Sequence, residues 1–453
     1  MLRQLAARHP LRYPLLLDSA AAGPLSDTSL LLAAPSAALW LDCDGRLGAQ
    51  GMTPRGAGFL AALENWWRSE RSPPAGGEGD AGRFCGGWAV FLGYELASEI
   101  EPHLALPPAP LPWQAFALRT HGALVLDLKS SRLFAVAEEA AVLARLIADA
   151  TAAAQAAAAP EHLRIDTVRE EDPAAYLWRV HRAKEYVRAG DVYQANLSRP
   201  WSVRIRPTGT TASSMDGANP TVAAALYERL CAANPAPFAA LAQWRGVAIL
   251  SSSPERLVRV DGRRVDTRPI AGTRPRSRDP ARERGEMSEL AAHPKERAEH
   301  IMLIDLERND LGRVCEAGSV RVDELMTIES YQHVHHIVSN VTGLLRSEVT
   351  PIGAVRAVFP GGTITGCPKF RCMQIIAELE GEGRGAYTGS LGYLTREGRL
   401  DLNILIRTMT LRGCDLSFRA GAGIVADSDP ERELEETRAK ARGLLAALGG
   451  ASS

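Results

Sequence analysis

The stretch AGAGIVADSDPERELEETRAK, Ala420 to Lys440, constrains this chain most. Gly421, Ala422 and Gly423 read as a glycine turn with bare backbone N–H groups, leading into a short apolar strand at Ile424 and Val425. Asp427, Ser428 or Asp429 can then cap a helix, Pro430 suits its first position, and Glu431 and Glu433 suit the positive end of its dipole. Glu433, Glu436 and Lys440 follow at i, i+3 and i+7, on one face. Two readings stay open. The face is a solvated one carrying a Glu436–Lys440 ion pair, or the turn, the carboxylates and the ammonium hold an anionic substrate and a hard cation together.

The rest of the chain bounds what such a stretch can belong to. With 453 residues there is more than one small domain's worth of core. Ala140 to Ala159 reads as an alanine-rich helix stopped by Pro160, which puts the boundary between two intimately packed parts at 1–165 and 166–453. The 52 basic residues balance the 53 acidic ones, so nucleic acid is not an expected partner. Seven cysteines without a CxxC pair indicate reduced thiols in a cytoplasmic protein rather than a disulfide frame or zinc site. The chain contains no apolar run of the roughly 18 residues that membrane insertion needs.

Along the chain, Ser29–Ala34 and Ala38–Asp42 read as strands, Phe59–Arg68 as a helix, and Gly86–Glu95 as a buried strand. Asp172-Pro173 opens a helix that Gly190 ends, with Tyr176, Leu177, Val180, Ala183 and Val187 on its apolar stripe. The next segment, Asp191 to Arg199, alternates Gln194, Asn196 and Ser198 against Tyr193, Ala195 and Leu197. That polar face suits solvent and a buried polar cavity equally. Arg206–Pro220 reads as an insertion, Val222–Ala233 as a helix, Val247–Glu255 and Val265–Thr273 as strands, and Lys295–Leu306 as a helix. Glu255, Glu299, Glu436 and His336 sit beside apolar or glycine-rich sequence, where charge is expensive. Two carboxylates on two helices would suit Mg²⁺, and the glycine-rich turn Phe359–Lys369 offers backbone N–H groups to an anion without the spacing of a P-loop. The residues alone thus point to an enzyme for a small anionic substrate with a divalent cation.

TRPIAGTRPR (267–276), DLERNDLGRV (305–314), HHIVSNVTG (335–343), FPGGTITGCPK (359–369), LNILIRTM (402–409) and AGAGIVADS (420–428) together resemble the chorismate-utilising enzymes. The resemblance implies an α+β fold of two large antiparallel sheets packed face to face with helices outside. It also implies Mg²⁺ held by Glu299 and Glu436, with Gly272 and Thr273 lining the substrate ring. Tyr393, Arg407, Gly421, Ala422, Gly423 and Lys440 would fix the substrate carboxylates, and Glu255 would be the general acid, assisted by His336. Gln194 stands where the water-using members carry a lysine, so ammonia is the implied nucleophile. A separate glutamine amidotransferase subunit would supply it, because none of the cysteines sits in a nucleophile elbow. Asn196 and the NPAPF turn favour aminodeoxychorismate synthase component I, making 4-amino-4-deoxychorismate for folate. Ala271, where that type often has lysine, favours the alternative, anthranilate synthase component I. A non-catalytic chorismate or tryptophan sensor is the alternative of another class. Ser19, Pro237, Phe238 and Ala239 match positions of a tryptophan pocket in relatives.

Overall fold

The computed structural model describes residues 1–449 apart from 22, 24, 26, 74–83, 156–162, 208–216, 277–278, 280–282, 286, 290–293 and 332–333. Its frame is a long antiparallel ribbon formed by Thr28–Asp42 and Trp113–Asp127. The sequence reads as two strands before Asp42, but they are one 15-residue strand with a register shift between Pro35 and Ala37. A bulge of this kind bends a strand without ending it. Each half of the ribbon accordingly feeds a different sheet.

From residues 28–33 the first sheet runs through Leu15–Asp18, Phe238–Trp244, Val247–Ser253, Thr408–Arg412 and Asp415–Ile424 to Gln194–Pro207 and Leu163–Glu170. From residues 37–42 and 113–120 the second runs through Gly87–Leu92, Ser390–Thr395, Leu400–Asn403, Arg256–Asp261 and Arg264–Arg268 to Val334–Leu344. Ile270–Pro275 and Arg321–Ser330 pair with that last strand on its two sides, and every pairing is antiparallel. Residues 1–165 contribute strands to both sheets.

Alternation along the strands shows how the sheets pack. In Phe238–Trp244, Ala240 and Ala242 join a core shared with Ala89, Phe91 and Leu391 of the other sheet, whereas Ala239 and Leu241 face outward. The outward core of the first sheet is closed by the helices Leu2–Arg8, Ala140–Gln155, Pro220–Ala233 and Pro430–Ala447. Helices Phe59–Glu70, Pro294–Gly312 and Pro351–Val358 close that of the second. The result is the α+β arrangement of two sheets face to face with helices outside. Strands buried on both faces read as continuous apolar runs, which is why Gly87–Leu92 is buried throughout.

Local signals mark most element ends. Asp172 and Asp429 cap their helices by accepting from the Ala174 and Arg432 N–H groups, each with proline next in line. The helix expected to end at Leu306 continues to Gly312, and the strand expected across 265–273 divides into Arg264–Arg268 and Ile270–Pro275 at Pro269. Residues 208–216 of the insertion and the end of the alanine-rich helix beyond Gln155 lie outside the described residues. No helix among the described residues is long and apolar enough to cross a membrane.

A buried ion network ties these pieces together. The Glu380 carboxylate accepts from Arg384 Nη2 at 2.7 Å, Arg419 Nη2 at 3.0 Å, and the Ser198 backbone N–H at 2.8 Å. Burial alone would raise its pKa, but the two guanidiniums win and hold it at about 2. The carboxylate therefore contributes stability at neutral pH, and loses it as pH falls from the ordinary carboxylate range towards 2. Glu380→Gln leaves two buried cations short of a counter-charge and is expected to cost about 3–5 kcal/mol at pH 7. The urea unfolding midpoint reads this; an unchanged midpoint would contradict the assignment.

Candidate active site

The strand Gln194–Pro207 settles the question its alternation leaves open. Gln194, Asn196 and Ser198 are buried, at 7%, 9% and 0% exposure, whereas Tyr193 is 71% exposed. The polar face is an interior one. Its neighbour explains the glycines: Gly421 pairs with Ser198 and Gly423 with Asn196. The GAG segment is therefore not the turn expected from sequence but the end of the strand Asp415–Ile424. A Cβ on Gly423 would stand 2.4 Å from Gln194 Nε2, and one on Gly421 2.8 Å from the Tyr387 hydroxyl. The glycines make room for neighbouring polar side chains rather than offering loop N–H groups.

Across the cleft the glycine-rich segment is laced to the same strand. Gly366–Cys367 pairs with Gln194 and Ala195, and the Asn196 N–H donates to the Thr365 carbonyl at 2.9 Å. This brings Thr363 to Glu255. Glu255 follows the strand Val247–Ser253 and is 4% exposed, its backbone carbonyl accepting from the Ile404 N–H at 3.0 Å. Burial pushes its carboxyl up to about 7, against the Thr363 hydroxyl, the Ile270 backbone and the cations Arg407 and Lys440. Lys440 reaches in from the helix Pro430–Ala447, donating to the Gly421 carbonyl at 3.0 Å and pairing with Glu436 at 2.8 Å. Arg407 has a left-handed backbone, with φ of 51°. Such strain in a side-chain-bearing residue is concentrated at functional sites.

His336 lies opposite Thr273 in the ladder, buried beside the Gly272 backbone. Burial and the Arg407 charge lower its pKa to about 3, so near neutral pH the imidazole is uncharged. Gly272 and Ala271 are half-buried, and the Thr273 side chain lies outside the described residues. Glu299 is half-buried on the helix Pro294–Gly312, which packs on the strands carrying Gly272 and His336. Among the described residues no three His, Cys, Asp or Glu side chains form a ready metal centre. Glu436 is half-exposed, and the Tyr176 hydroxyl feels both Glu433 and Glu436. Carboxylate oxygens that water can still reach are the donor type magnesium takes, since it keeps much of its hydration.

Tyr393 does not join this group. It packs edge-on to Phe84 at 5.7 Å and lines a different cavity, of about 520 Å³, together with Ser19, Pro237, Phe238 and Ala239. The tyrosine in the cleft is Tyr387, six residues earlier, whose hydroxyl lies over Gly421. Sequence reasoning also missed Thr363, although it stands inside the glycine-rich motif.

What distinguishes the cleft is a concentration of unpaired polar atoms. Gln194 Oε1, Asn196 Oδ1, Glu255 Oε1 and Thr363 Oγ1 are all buried without a hydrogen-bond partner among the described residues, the last two facing each other outside hydrogen-bonding geometry. Each such atom costs about 1–3 kcal/mol. Several around one space are expected where a polar ligand supplies the missing partners.

Residues 42–446 match the family described as chorismate binding enzyme. An "anthranilate synthase component I-like protein" of Synechocystis sp. is 42% identical over 81% of this chain and 73% of its own length. An "anthranilate synthase component 1" of Streptomyces coelicolor is 41% identical over 88% and 78%. An "aminodeoxychorismate synthase" of Streptomyces griseus is 39% identical over 81% of this chain and 50% of its own. The crystal structure of anthranilate synthase component I from Streptococcus pneumoniae superposes with a TM-score of 0.76, at 28% identity, over 93% of each chain.

The raised Glu255 pKa has a stability signature. Because the folded chain holds this proton more tightly than the unfolded one, wild-type stability falls as pH rises from the ordinary carboxylate range through about 7. Glu255→Gln removes that loss. Its stability relative to wild type should improve by about 2–3 kcal/mol between pH 5 and pH 8.5, read from denaturant midpoints at the two pH values. A pH-independent difference would show that Glu255 ionises as an ordinary carboxyl.

Proposed function

The chain belongs to the chorismate-binding enzymes, and on that premise we propose that it is an anthranilate synthase component I, converting chorismate and ammonia to anthranilate, pyruvate and water. The observation that carries the reading is the cluster of buried, unpaired polar atoms that includes Glu255, on whose carboxyl the Arg407 and Lys440 charges act. Sequence reasoning put aminodeoxychorismate synthase first. The names of the relatives and the methyl side chain of Ala271, which cannot add to the ring as an amine, turn the preference. A second reading, 4-amino-4-deoxychorismate as product, is favoured by Asn196 in YQANLS and by the Streptomyces griseus relative.

In the proposed reaction Arg407 and Lys440 hold the substrate carboxylates, and Tyr387 closes the end of the slot over Gly421. Ammonia enters beside Gln194 and Asn196, whose free oxygens can accept its N–H groups, and attacks ring carbon 2. Glu255 protonates the departing 4-hydroxyl, which leaves as water. Removal of the ring proton then expels the enolpyruvyl group as pyruvate and aromatises the ring. His336, neutral and anchored at Gly272, cannot serve as a cationic acid and instead orients the ring side of the pocket. Magnesium held by Glu299 and Glu436 would bind and polarise the ring carboxylate. With glutamine as nitrogen source, the chain would need a separate glutamine amidotransferase subunit.

Mass analysis after incubation with chorismate, Mg²⁺ and ammonium should find anthranilate and pyruvate; 4-amino-4-deoxychorismate without pyruvate would support the second reading. Either Glu299→Gln or Glu436→Gln should abolish the Mg²⁺-dependent turnover while leaving the melting curve unchanged, and undiminished turnover in both would refute the metal assignment. We further propose that the Ser19 cavity takes tryptophan, since Phe238 and Tyr393 offer aromatic surface beside Asp18, Asp401 and Arg256. Calorimetric titration with tryptophan should give saturable heat that Ser19→Trp removes; no heat in the wild type would leave the cavity a structural one.

A further inference from the structure

The bulge in the strand Thr28–Asp42 does more than bend the ribbon. Pro35 pairs with Thr120 and Ala37 with Arg119, so Ser36 is the extra residue, exposed and outside the ladder. Bulges re-aim side chains in this way, often beside active sites. Two residues earlier, Ala34 has φ of 55°, a left-handed backbone that costs a residue with a side chain about 1–3 kcal/mol. The freed Ser36 hydroxyl lies 2.7 Å from Nε2 of His121, on the partner strand Trp113–Asp127. His121 Nδ1 lies in turn 3.1 Å from Glu138 Oε2.

The surroundings hold this order of groups in place. The Glu138 N–H donates to the His121 carbonyl at 2.8 Å, which ties the glutamate to the histidine's strand. Glu138 Oε2 also accepts from Arg119 Nη2 at 2.7 Å, and Arg396 stands 3.7 Å from the same oxygen. Gly86 leaves the carboxylate room, since a Cβ there would stand 1.9 Å from Oε1. Gly51 does the same for the bulge, where a Cβ would stand 2.8 Å from the Ser36 carbonyl. A carboxylate only accepts hydrogen bonds, so its contact places the proton of a neutral His121 ring on Nδ1. Nε2 is then left with a lone pair for the Ser36 hydroxyl.

Ser36 also lines a cavity of about 270 Å³. Pro10, Leu11, Pro14 and Trp244 give it apolar walls, and Arg245 is the one charged residue in its described lining. The Arg245 guanidinium stacks over the Trp40 ring, 3.7 Å from the ring centre, and has no carboxylate partner among the described residues.

We propose that Ser36, His121 and Glu138 form a catalytic site of their own, which hydrolyses esters of small apolar carboxylic acids bound in this cavity. Nucleophile, base and orienting carboxylate stand within hydrogen-bond reach in that order, the arrangement that nucleophilic acyl transfer needs. Ser36 Oγ bonds to the ester carbonyl carbon as its proton passes to His121 Nε2. The negative oxygen so formed lies in a cavity whose lining carries Arg245. The bond to the alcohol breaks, and Nε2 hands its proton to the departing oxygen. Water then attacks the acyl-serine, and its proton passes through Nε2 to Ser36 Oγ, so that ester and water give acid and alcohol. Glu138 acts through His121, as a positioning residue. None of the three belongs to the cleft around Glu255, so the proposal stands apart from the chorismate reaction.

The test measures hydrolysis of p-nitrophenyl butyrate by the full chain, and labelling by a fluorophosphonate located by mass spectrometry. Wild type should turn the ester over and carry one adduct, on Ser36. Ser36→Ala, at an exposed position, should keep the melting curve, lose the adduct and lose at least about a hundredfold in kcat. His121→Gln should lose about as much, with KM nearly unchanged. Glu138→Gln should also cost about a hundredfold, and Glu138→Asp should recover most of it, a rescue that a merely structural role would not give. If Glu138→Gln fails to fold because Arg119 loses a partner, the Ser36 and His121 variants decide. Wild type without turnover, turnover undiminished in Ser36→Ala, or an adduct only on another residue would overturn the inference.

Discussion

Everything that shapes the cleft hangs on one buried carboxylate, Glu380. It is held by Arg384 and Arg419 and accepts from both the backbone N–H and the hydroxyl of Ser198. Arg384 carries the linkage onward, donating to the Asn196 carbonyl at 2.7 Å and the Ile364 carbonyl at 3.2 Å. Three segments that meet at the site, the polar strand, the glycine-rich turn and the strand bearing the GAG glycines, are thereby fixed by one charge. Glu95 extends the hold to the N-terminal part, accepting from the Arg384 and Gly385 N–H groups. Buried ion pairs are poor sources of net stability compared with apolar packing. What this one supplies is position, since the polar strand can neither slip nor twist without stranding a charge.

The site is built where ordinary sheet rules are relaxed. Gln194 and Asn196 can face inward only because the adjoining strand presents no side chain at Gly421 and Gly423. Gly366 serves the same end from the other edge, since a Cβ there would meet the Gln194 carbonyl at 2.1 Å. Glycine weakens a strand, so three of them around two unsatisfied amides mark a region shaped for a ligand rather than for packing.

Much of this was legible beforehand. Asp172, Asp429 and their prolines mark helix starts by a local mechanism, and the alternation of Gln194, Asn196 and Ser198 identifies a polar face. Alternation says that three residues share a side, however, and says nothing of what covers it. That came only from the partner strand and the Glu380 network, both more than 180 residues away in sequence. The GAG segment looked like a turn because glycine is ambiguous between flexibility and close approach. Tyr387 and Tyr393 stand six residues apart, and they diverge because Tyr393 lies on the strand Ser390–Thr395 and lines the Ser19 cavity, whereas Tyr387 precedes that strand and sets its hydroxyl over Gly421.

The electrostatics of the cleft make the acid conditional on its substrate. Burial drives the Glu255 proton affinity up, and Arg407 and Lys440 are the charges that restrain it. On the proposed reading those same two cations bind the substrate carboxylates. A dicarboxylate seated on them spends the positive charge that Glu255 would otherwise feel, and it displaces solvent from the mouth of the site. Both changes favour the protonated carboxyl. The empty cleft would then hold an acid poised near neutrality, and the filled one an acid that keeps its proton until the 4-hydroxyl begins to leave. His336 takes no part in that exchange, because burial, and after it the Arg407 charge, keeps the imidazole neutral. Burial thus pushes the acid up and the imidazole down, and one arginine in a strained backbone acts on both.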